Sequence, residues 1–470
     1  MFRRLFLGLA ATLALALAMA SGGCAYGPRA RDDAPPIVFV HGNGDSAAVW
    51  QTLLWRFESN GWPRERLFAL QQPYPLARDD DGKEQAGRSS SAEHIAFLKA
   101  EVARVLARTG ARQVVLVGNS RAGLAIRNYI YNGGGDKTVS HAILGGTPNH
   151  GVWAIPGFLE GSEFSGTGPF LKALNSARNA AGDEVSGPVK WLTIRSDNND
   201  KYAQPDGEWI GAKGKPTQVG YDSPALKGAQ NTVIARLDHR ETSFSPEAFD
   251  ATYRFITGQA PPSPAIWPEL NIVLDGMVTG MGVHSSDAAS ASNNFSNNLP
   301  VPKAQVEVYA VHYQSGLRVG APVHSKTVGA DGRWGPFTGV PGVPYEFVVR
   351  APGYAISHIY RSPFPRSSDV VHLKVDRIAD ADLPAFAIVQ LVRPRGYLDP
   401  ASHHIRFDEQ SPPPGIAAAR VAGVATSKIT LSKLQDRAIA AEFHSEVLER
   451  VVGRTWPAKE NHVVWLEFTW

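Results

Sequence analysis

Ser120 stands where a strand signal, a sharp turn and a helix signal follow one another: Val114-Val115-Leu116-Val117-Gly118-Asn119-Ser120-Arg121-Ala122-Gly123. A serine in such a turn is held in a strained backbone with its Oγ raised above the edge of a sheet. The turn brings strand and helix backbones close together, so the residues two before and two after must be small. Gly118 and Ala122 meet that need, with Ala replacing the second glycine of the usual Gly-x-Ser-x-Gly pattern. A serine hydroxyl is a poor nucleophile near neutral pH. It attacks a carbonyl only when a histidine takes its proton and an acid orients that histidine.

Strand–turn–helix scaffolds of this kind order the three groups serine, acid, histidine along the chain. That order prunes the fourteen histidines to His239, which lies between Ile194 and Gly258 where the run Thr232-Val233-Ile234-Ala235-Arg236-Leu237-Asp238 ends. The acid is expected just past the strand ending at Ile194, where Asp197 and Asp200 compete. Attack on an ester also needs donors for the developing oxyanion. The backbone N–H of Arg121, next to the nucleophile, is one. The second is assigned to Asn43 in His41-Gly42-Asn43-Gly44-Asp45, whose glycines allow close backbone approach. His41 itself reads as a buried structural histidine. The chemistry requires neither a metal nor another cofactor, and Asp79-Asp80-Asp81-Gly82-Lys83-Glu84 lacks the alternating ligand spacing of a calcium loop.

The elements that must position these residues are legible. Ile37-Val38-Phe39-Val40 and Gln113 to Val117 are apolar, β-branched runs of the kind buried on both sheet faces. Ser90-Ser91-Ala92-Glu93 has capping-box spacing and opens a helix with Ile95, Leu98, Val102 and Val105 on one face, closing at Gly110. Ala122 to Asn132 reads as a second helix. Ala142-Ile143-Leu144 and Val189 to Ile194 read as further strands, and a helix follows from Ser245-Pro246-Glu247. Strands alternating with helices imply a mostly parallel sheet covered on both sides. Past the stiff linker Ala260-Pro261-Pro262-Ser263-Pro264 the pattern turns to period-two alternation, as in Val306, Val308 and Ala310, or Tyr345, Phe347 and Val349, or Val464, Leu466, Phe468 and Trp470. That predicts an antiparallel, β-sandwich-like region. The expected division is an export segment over 1–24, a catalytic domain over 34–258, a β-sandwich domain over 269–378 and a small β-rich unit over 379–470.

Residues 37 to 257 resemble the bacterial lipases of the α/β-hydrolase fold. Val40-His41-Gly42-Asn43-Gly44, the serine turn, Gly145-Gly146-Thr147-Pro148-Asn149-His150-Gly151 and Leu237-Asp238-His239 occur in matching order. His239-Arg240-Glu241-Thr242, Ser245-Pro246-Glu247-Ala248-Phe249 and Tyr360-Arg361-Ser362-Pro363-Phe364 are similar to an archaeal lipase with a β-rich C-terminal domain. The resemblance implies a carboxylic-ester hydrolase, either triacylglycerol lipase or carboxylesterase, acting on lipid or ester substrates through an acyl-enzyme. In many lipases the acid is followed by an apolar residue three on and a proline four or five on; Ala203 and Pro205 give Asp200 that spacing and deny it to Asp197. One departure stands out. The archaeal relative carries its acid near the segment matching Leu144-Gly145-Gly146, where this chain has no carboxylate. Residues 151 to 182 mix Trp153, Ile155, Phe158, Leu159, Phe164 and Phe170 with glycine and serine, as a mobile flap or an ordinary excursion over the sheet would.

Composition narrows the classes. A hydrophobic fraction of 43% with 19% charged residues describes a globular chain, and a net charge of +3 without a basic, aromatic-interleaved stripe gives no case for nucleic acid. The single cysteine, Cys24, excludes an intramolecular disulfide. Met1 to Gly23 carries Arg3 and Arg4, an apolar run from Leu5 to Ala20 and the small residues Ser21-Gly22-Gly23, the layout of an export signal. Cys24 falls where bacterial lipoproteins are lipidated, although Ser21 replaces the usual leucine three positions earlier. The expectation is an exported protein, attached to the outer membrane through Cys24 or secreted. Two alternatives accompany the hydrolase reading: a binding or adhesion protein on an inactive scaffold, and a polyester depolymerase.

Overall fold

The computed structural model describes residues 31, 33–197, 200–208, 210–281, 296–416, 423–433 and 436–470. The export segment and Cys24 lie outside the described residues. Six parallel strands, β1 (Ile37–Val40), β2 (Leu67–Ala69), β3 (Val114–Asn119), β4 (Val139–Gly145), β5 (Lys190–Arg195) and β6 (Gln230–Val233), form one sheet in the order β2-β1-β3-β4-β5-β6. Helices α1 (Gln51–Ser59), α2 (Ser91–Thr109), α3 (Arg121–Asn132), α4 (Pro169–Leu174), α5 (Glu241–Phe244) and α6 (Pro246–Thr257) accompany it. This is the covered parallel sheet expected from the alternation, in the α/β-hydrolase arrangement that the resemblance implies. The apolar runs supply both faces of the sheet. Phe39, Val115 and Ile143 pack with α1 and α6 on one side, and Val38, Leu116 and Leu144 with α2 and α3 on the other.

Local signals set the helix ends. Ser90 accepts from the Glu93 amide while Glu93 accepts from Ser90, so the capping box is complete, and Gly110 closes α2 in the left-handed conformation at φ 67°. Asp81 of the acidic run bonds the Ser91 amide at 2.6 Å, which gives that carboxylate a place at a helix N-terminus. The chain runs from β1 outward to β2 and then returns to β3 on the other side of β1. Such a reversal opens a crevice at the carboxyl ends of the two central strands. Both the Asn43 loop and the Ser120 turn leave the sheet there.

Beyond residue 268 the chain is a separate sheet-rich domain. Its largest sheet has seven strands in the order His324–Thr327, Gln305–Ala310, Tyr345–Arg350, Ile356–Arg361, His462–Glu467, Ala387–Val392 and Thr426–Leu431. A three-stranded sheet built from Leu373–Val375, Val278–Met281 and Ser296–Pro300 contributes to one core with Val306, Val308, Phe347 and Val349. A second, of His404–Phe407, Ala438–His444 and Leu448–Arg454, contributes to another core with Val389, Leu391, Val464 and Leu466. Two cores thus lie along one sheet. The expected boundary at 378/379 falls inside it: Ile356–Arg361 pairs in parallel with His462–Glu467, which pairs in parallel with Ala387–Val392. Backbone hydrogen bonds therefore join residues 269–378 to residues 379–470.

The two domains also share a packed face. Trp55 of α1 is 1% exposed and belongs to the β-region core, edge-on to Phe364 and Trp470. Its indole donates to the Ser367 carbonyl at 2.7 Å. Gln51 donates to the Thr469 carbonyl at 3.0 Å, and Arg56 pairs with Glu446.

Candidate active site

Ser120 sits at φ 56°, ψ −123°, between the end of β3 and the first residue of α3. A non-glycine residue with positive φ carries strain of about 1–3 kcal/mol. Here the surrounding contacts impose it. A Cβ on Gly118 would meet the Ala122 side chain at 3.2 Å, and one on Gly42 would meet the Ser120 Cβ at 3.0 Å. The small residues of the turn are therefore required sterically.

His239 and Asp200 come together from separate loops, after β6 and β5. His239 Nδ1–H donates to Asp200 Oδ2 at 2.8 Å, with the histidine 5% and the aspartate 2% exposed. The other Asp200 oxygen accepts from the Tyr202 amide at 2.9 Å, and the Ala203 amide donates to the Asp200 carbonyl at 2.9 Å. Asp197 points elsewhere, accepting from the Arg236 amide at 3.1 Å and from the Ser196 hydroxyl at 3.2 Å. His239 Nε2 is buried and has no hydrogen-bond partner among the described residues. It lines the same cavity as Ser120. That cavity, of about 100 Å³, is closed by Asn43, Pro148, Val152, Trp153, Phe164, Tyr202, Ile210 and Val219.

The other sequence candidates take these positions. Asn43 is exposed at the cavity wall, with its side-chain oxygen accepting from the Ala77 amide at 2.7 Å. Arg121 is the first residue of α3, where a helix leaves its amide without an intrahelical acceptor. His41 is structural: Nδ1–H donates to the Gly42 carbonyl at 3.1 Å and Nε2 accepts from the Gln72 amide at 3.2 Å. Burial holds its pKa below the ordinary value, which suits that neutral tautomer. His150 bonds Glu184 at 2.9 Å and is not among the residues closing the cavity around Ser120.

Sequence reasoning missed three contributions. Tyr202 packs edge-on against the His239 ring at 4.4 Å. Asn119, just before the serine, donates to Ser243 Oγ at 2.9 Å and to the His239 carbonyl at 3.3 Å, so the nucleophile turn holds the histidine loop directly. The third is the Arg121 side chain, 1% exposed. It pairs with Glu163 and donates to the carbonyls of Pro75 at 3.0 Å and Ser89 at 2.7 Å. Burial raises the Glu163 pKa, and Arg121 opposes the rise. Glu163 precedes Phe164 of the cavity wall, so the residue after the nucleophile also fixes the 151–168 segment. No local pattern announces this pairing, because its members lie 42 positions apart.

Residues 34–154 match the family of class 2 lipases, and residues 271–378 match the lipase C-terminal domain. A non-heme haloperoxidase of Rhodococcus erythropolis is 30% identical over 117 residues, covering 24% of this chain and 37% of that enzyme. The chain thus spans little more than a third of the curated relative it matches. Among solved structures, lipase B of Aspergillus fumigatus is 17% identical over 51% of this chain and 57% of its own, with a TM-score of 0.34. The mature lipase BlEst2 of Bacillus licheniformis is 20% identical over 49% of this chain and 95% of its own, also with a TM-score of 0.34. The family matches support a hydrolase acting on esters.

Proposed function

We propose that the chain is an exported serine carboxylic-ester hydrolase that works through an acyl-enzyme. Ser120 Oγ attacks the ester carbonyl while His239 Nε2 takes its proton. The backbone N–H groups of Asn43 and Arg121 stabilise the oxyanion. Collapse of the tetrahedral intermediate breaks the ester C–O bond, and the alcohol leaves with the proton from His239. Water then attacks the acyl-enzyme, again losing a proton to Nε2, and the acid departs as Ser120 regains its hydrogen. Asp200 keeps the imidazole in the tautomer whose Nε2 is free to accept.

One observation carries this reading: a buried histidine held by a carboxylate at 2.8 Å, with its other nitrogen unpartnered among the described residues and lining the cavity that contains the serine of the strained turn. The test is turnover of p-nitrophenyl butyrate by the purified protein. Ser120→Ala is expected to lower kcat by about a thousandfold or more while leaving the fold intact. A variant that kept a tenth of the activity would remove the assignment, and an inactive parent would favour the binding-protein reading. Attachment through Cys24 is tested separately: Cys24→Ser should move the protein from the membrane fraction to the soluble fraction.

A further inference from the structure

We propose that Arg393, from the C-terminal part of the β domain, is a positioning residue for hydrolysis at Ser120. It lies outside both segments that match known families, and its role rests on the hydrolase reading above. The carboxylates on either side of His239 supply the argument. Asp238 Oδ1 accepts from the amides of Arg240 at 2.8 Å and Glu241 at 2.9 Å, while Glu241 Oε2 accepts from the Asp238 amide at 2.9 Å. This reciprocal pattern is that of a capping box, and it shapes the turn on which His239 sits. Each carboxylate then uses its second oxygen on the β domain. Asp238 Oδ2 accepts from the Tyr397 amide at 2.6 Å and from Arg393 Nη1 at 3.5 Å; Glu241 Oε1 accepts from Arg393 Nη2 at 2.6 Å.

Two carboxylates buried side by side, 1% and 8% exposed, need a cation between them. Burial, reinforced by Glu241, pushes the Asp238 carboxyl upward, and Arg393 opposes that rise. His403 stands farther off, with Nε2 3.7 Å from Glu241. Arg393 is itself fixed. It follows the strand Ala387–Val392, its amide donates to the Ala425 carbonyl at 2.9 Å, and Nη1 also donates to the Tyr397 carbonyl at 2.5 Å. The guanidinium lies over the Phe443 ring at 4.4 Å, and a side chain on Gly396 would collide with it. The long sheet of the β domain therefore ends in a rigid fork that grips the carboxylates at 238 and 241, on either side of the histidine. A displacement of the loop by about 1 Å is enough to cost on the order of a hundredfold in rate.

The experiment compares full-length parent, Arg393→Ala and Arg393→Lys on p-nitrophenyl butyrate, with thermal unfolding recorded for each. Arg393→Ala is expected to lose about a hundredfold in kcat with KM changed by less than about threefold, in a protein that still unfolds cooperatively. Guanidinium ion at low millimolar concentration should restore roughly a tenth or more of the lost kcat, and ethylammonium should not, because only the planar fork serves both carboxylates. If Arg393→Ala does not fold, Arg393→Lys decides: it keeps the charge, so its stability should approach that of the parent while kcat stays depressed. Retention of kcat by either folded variant, or a kcat loss matched by the loss of folded protein with no guanidinium rescue, overturns the proposal. Parent activity that survives Ser120→Ala would instead overturn the hydrolase reading itself.

Discussion

The small cavity beside Ser120 predicts a preference for short acyl chains. Its volume is about 100 Å³, and its walls are Val152, Trp153, Phe164, Ile210 and Val219. An apolar protein cavity of about 150 Å³ takes a benzene-sized ligand of six heavy atoms, so this one takes about four. Acetyl, propionyl and butyryl groups should fit with progressively more apolar contact. Each buried methylene is worth about 0.8 kcal/mol, and about 1.36 kcal/mol is tenfold in rate, so kcat/KM should rise roughly fourfold per carbon up to butyrate. Longer chains must displace the wall, and the rise should stop or reverse between butyrate and hexanoate.

Phe164→Ala removes the ring next to the Arg121–Glu163 pair and should move the optimum to longer chains while lowering turnover of acetate. The assay is kcat/KM on p-nitrophenyl esters from acetate to decanoate for parent and variant. A parent profile that climbs steadily through decanoate would refute the argument, since it would mean that the wall seen here is not the wall substrates meet. A variant with the parent's profile would refute the assignment of Phe164 to the acyl side.

Asp200→Asn should cut kcat by about three to four orders of magnitude, because an amide cannot hold His239 in the same tautomer. Asp197→Asn should stay close to the parent, since an amide oxygen still accepts from the Arg236 amide; kinetics of the two variants settle which acid serves. Glu163→Gln leaves the Arg121 guanidinium buried without its anion. It should lower Tm, with a cost approaching the roughly 3–5 kcal/mol of a broken buried pair, and flatten the chain-length profile. A protein ending at Gly258 should be aggregation-prone, because it uncovers Trp55 and strands the Arg56 cation; a monodisperse, active fragment by size exclusion would contradict the shared interface.

Signals confined to a few adjacent residues were legible in the sequence. Ile37–Val40 declares itself by an apolar, β-branched run, α2 by its capping box and terminal glycine, and the Ser120 turn by small residues at fixed offsets. The choice of Asp200 over Asp197 came from the spacing shared with lipases, and the structure brings Asp200 to His239. What stayed hidden depends on residues far apart in the chain. Nothing near Ile356–Arg361 foretells its partner a hundred positions later, across 378/379. Buried charges behave the same way. No local pattern marks the Arg121 and Arg393 side chains, whose meaning comes from carboxylates at 163, 238 and 241.

Loops at the carboxyl edge of a parallel sheet carry chemistry but gain little rigidity from the sheet itself. This molecule supplies the rigidity from outside. Asn298 of the β domain donates to the Asp45 carbonyl at 2.8 Å and the Gln72 carbonyl at 2.9 Å, fixing the loop that carries Asn43. Arg240 joins Asp45 at 2.5 Å to the Pro394 carbonyl at 3.0 Å, so the oxyanion side, the histidine loop and the β domain meet in one guanidinium. The Asn298 bonds and the Arg240–Pro394 bond span the domain interface, and together with the Trp55 packing they make independent motion of the two domains costly. The β domain therefore contributes to geometry at Ser120 through the two loops it holds, without lending a side chain to the proposed triad. Substitutions at Asn298 or Arg240 should accordingly change kcat before they change substrate choice, whereas substitutions at Phe164 should do the reverse.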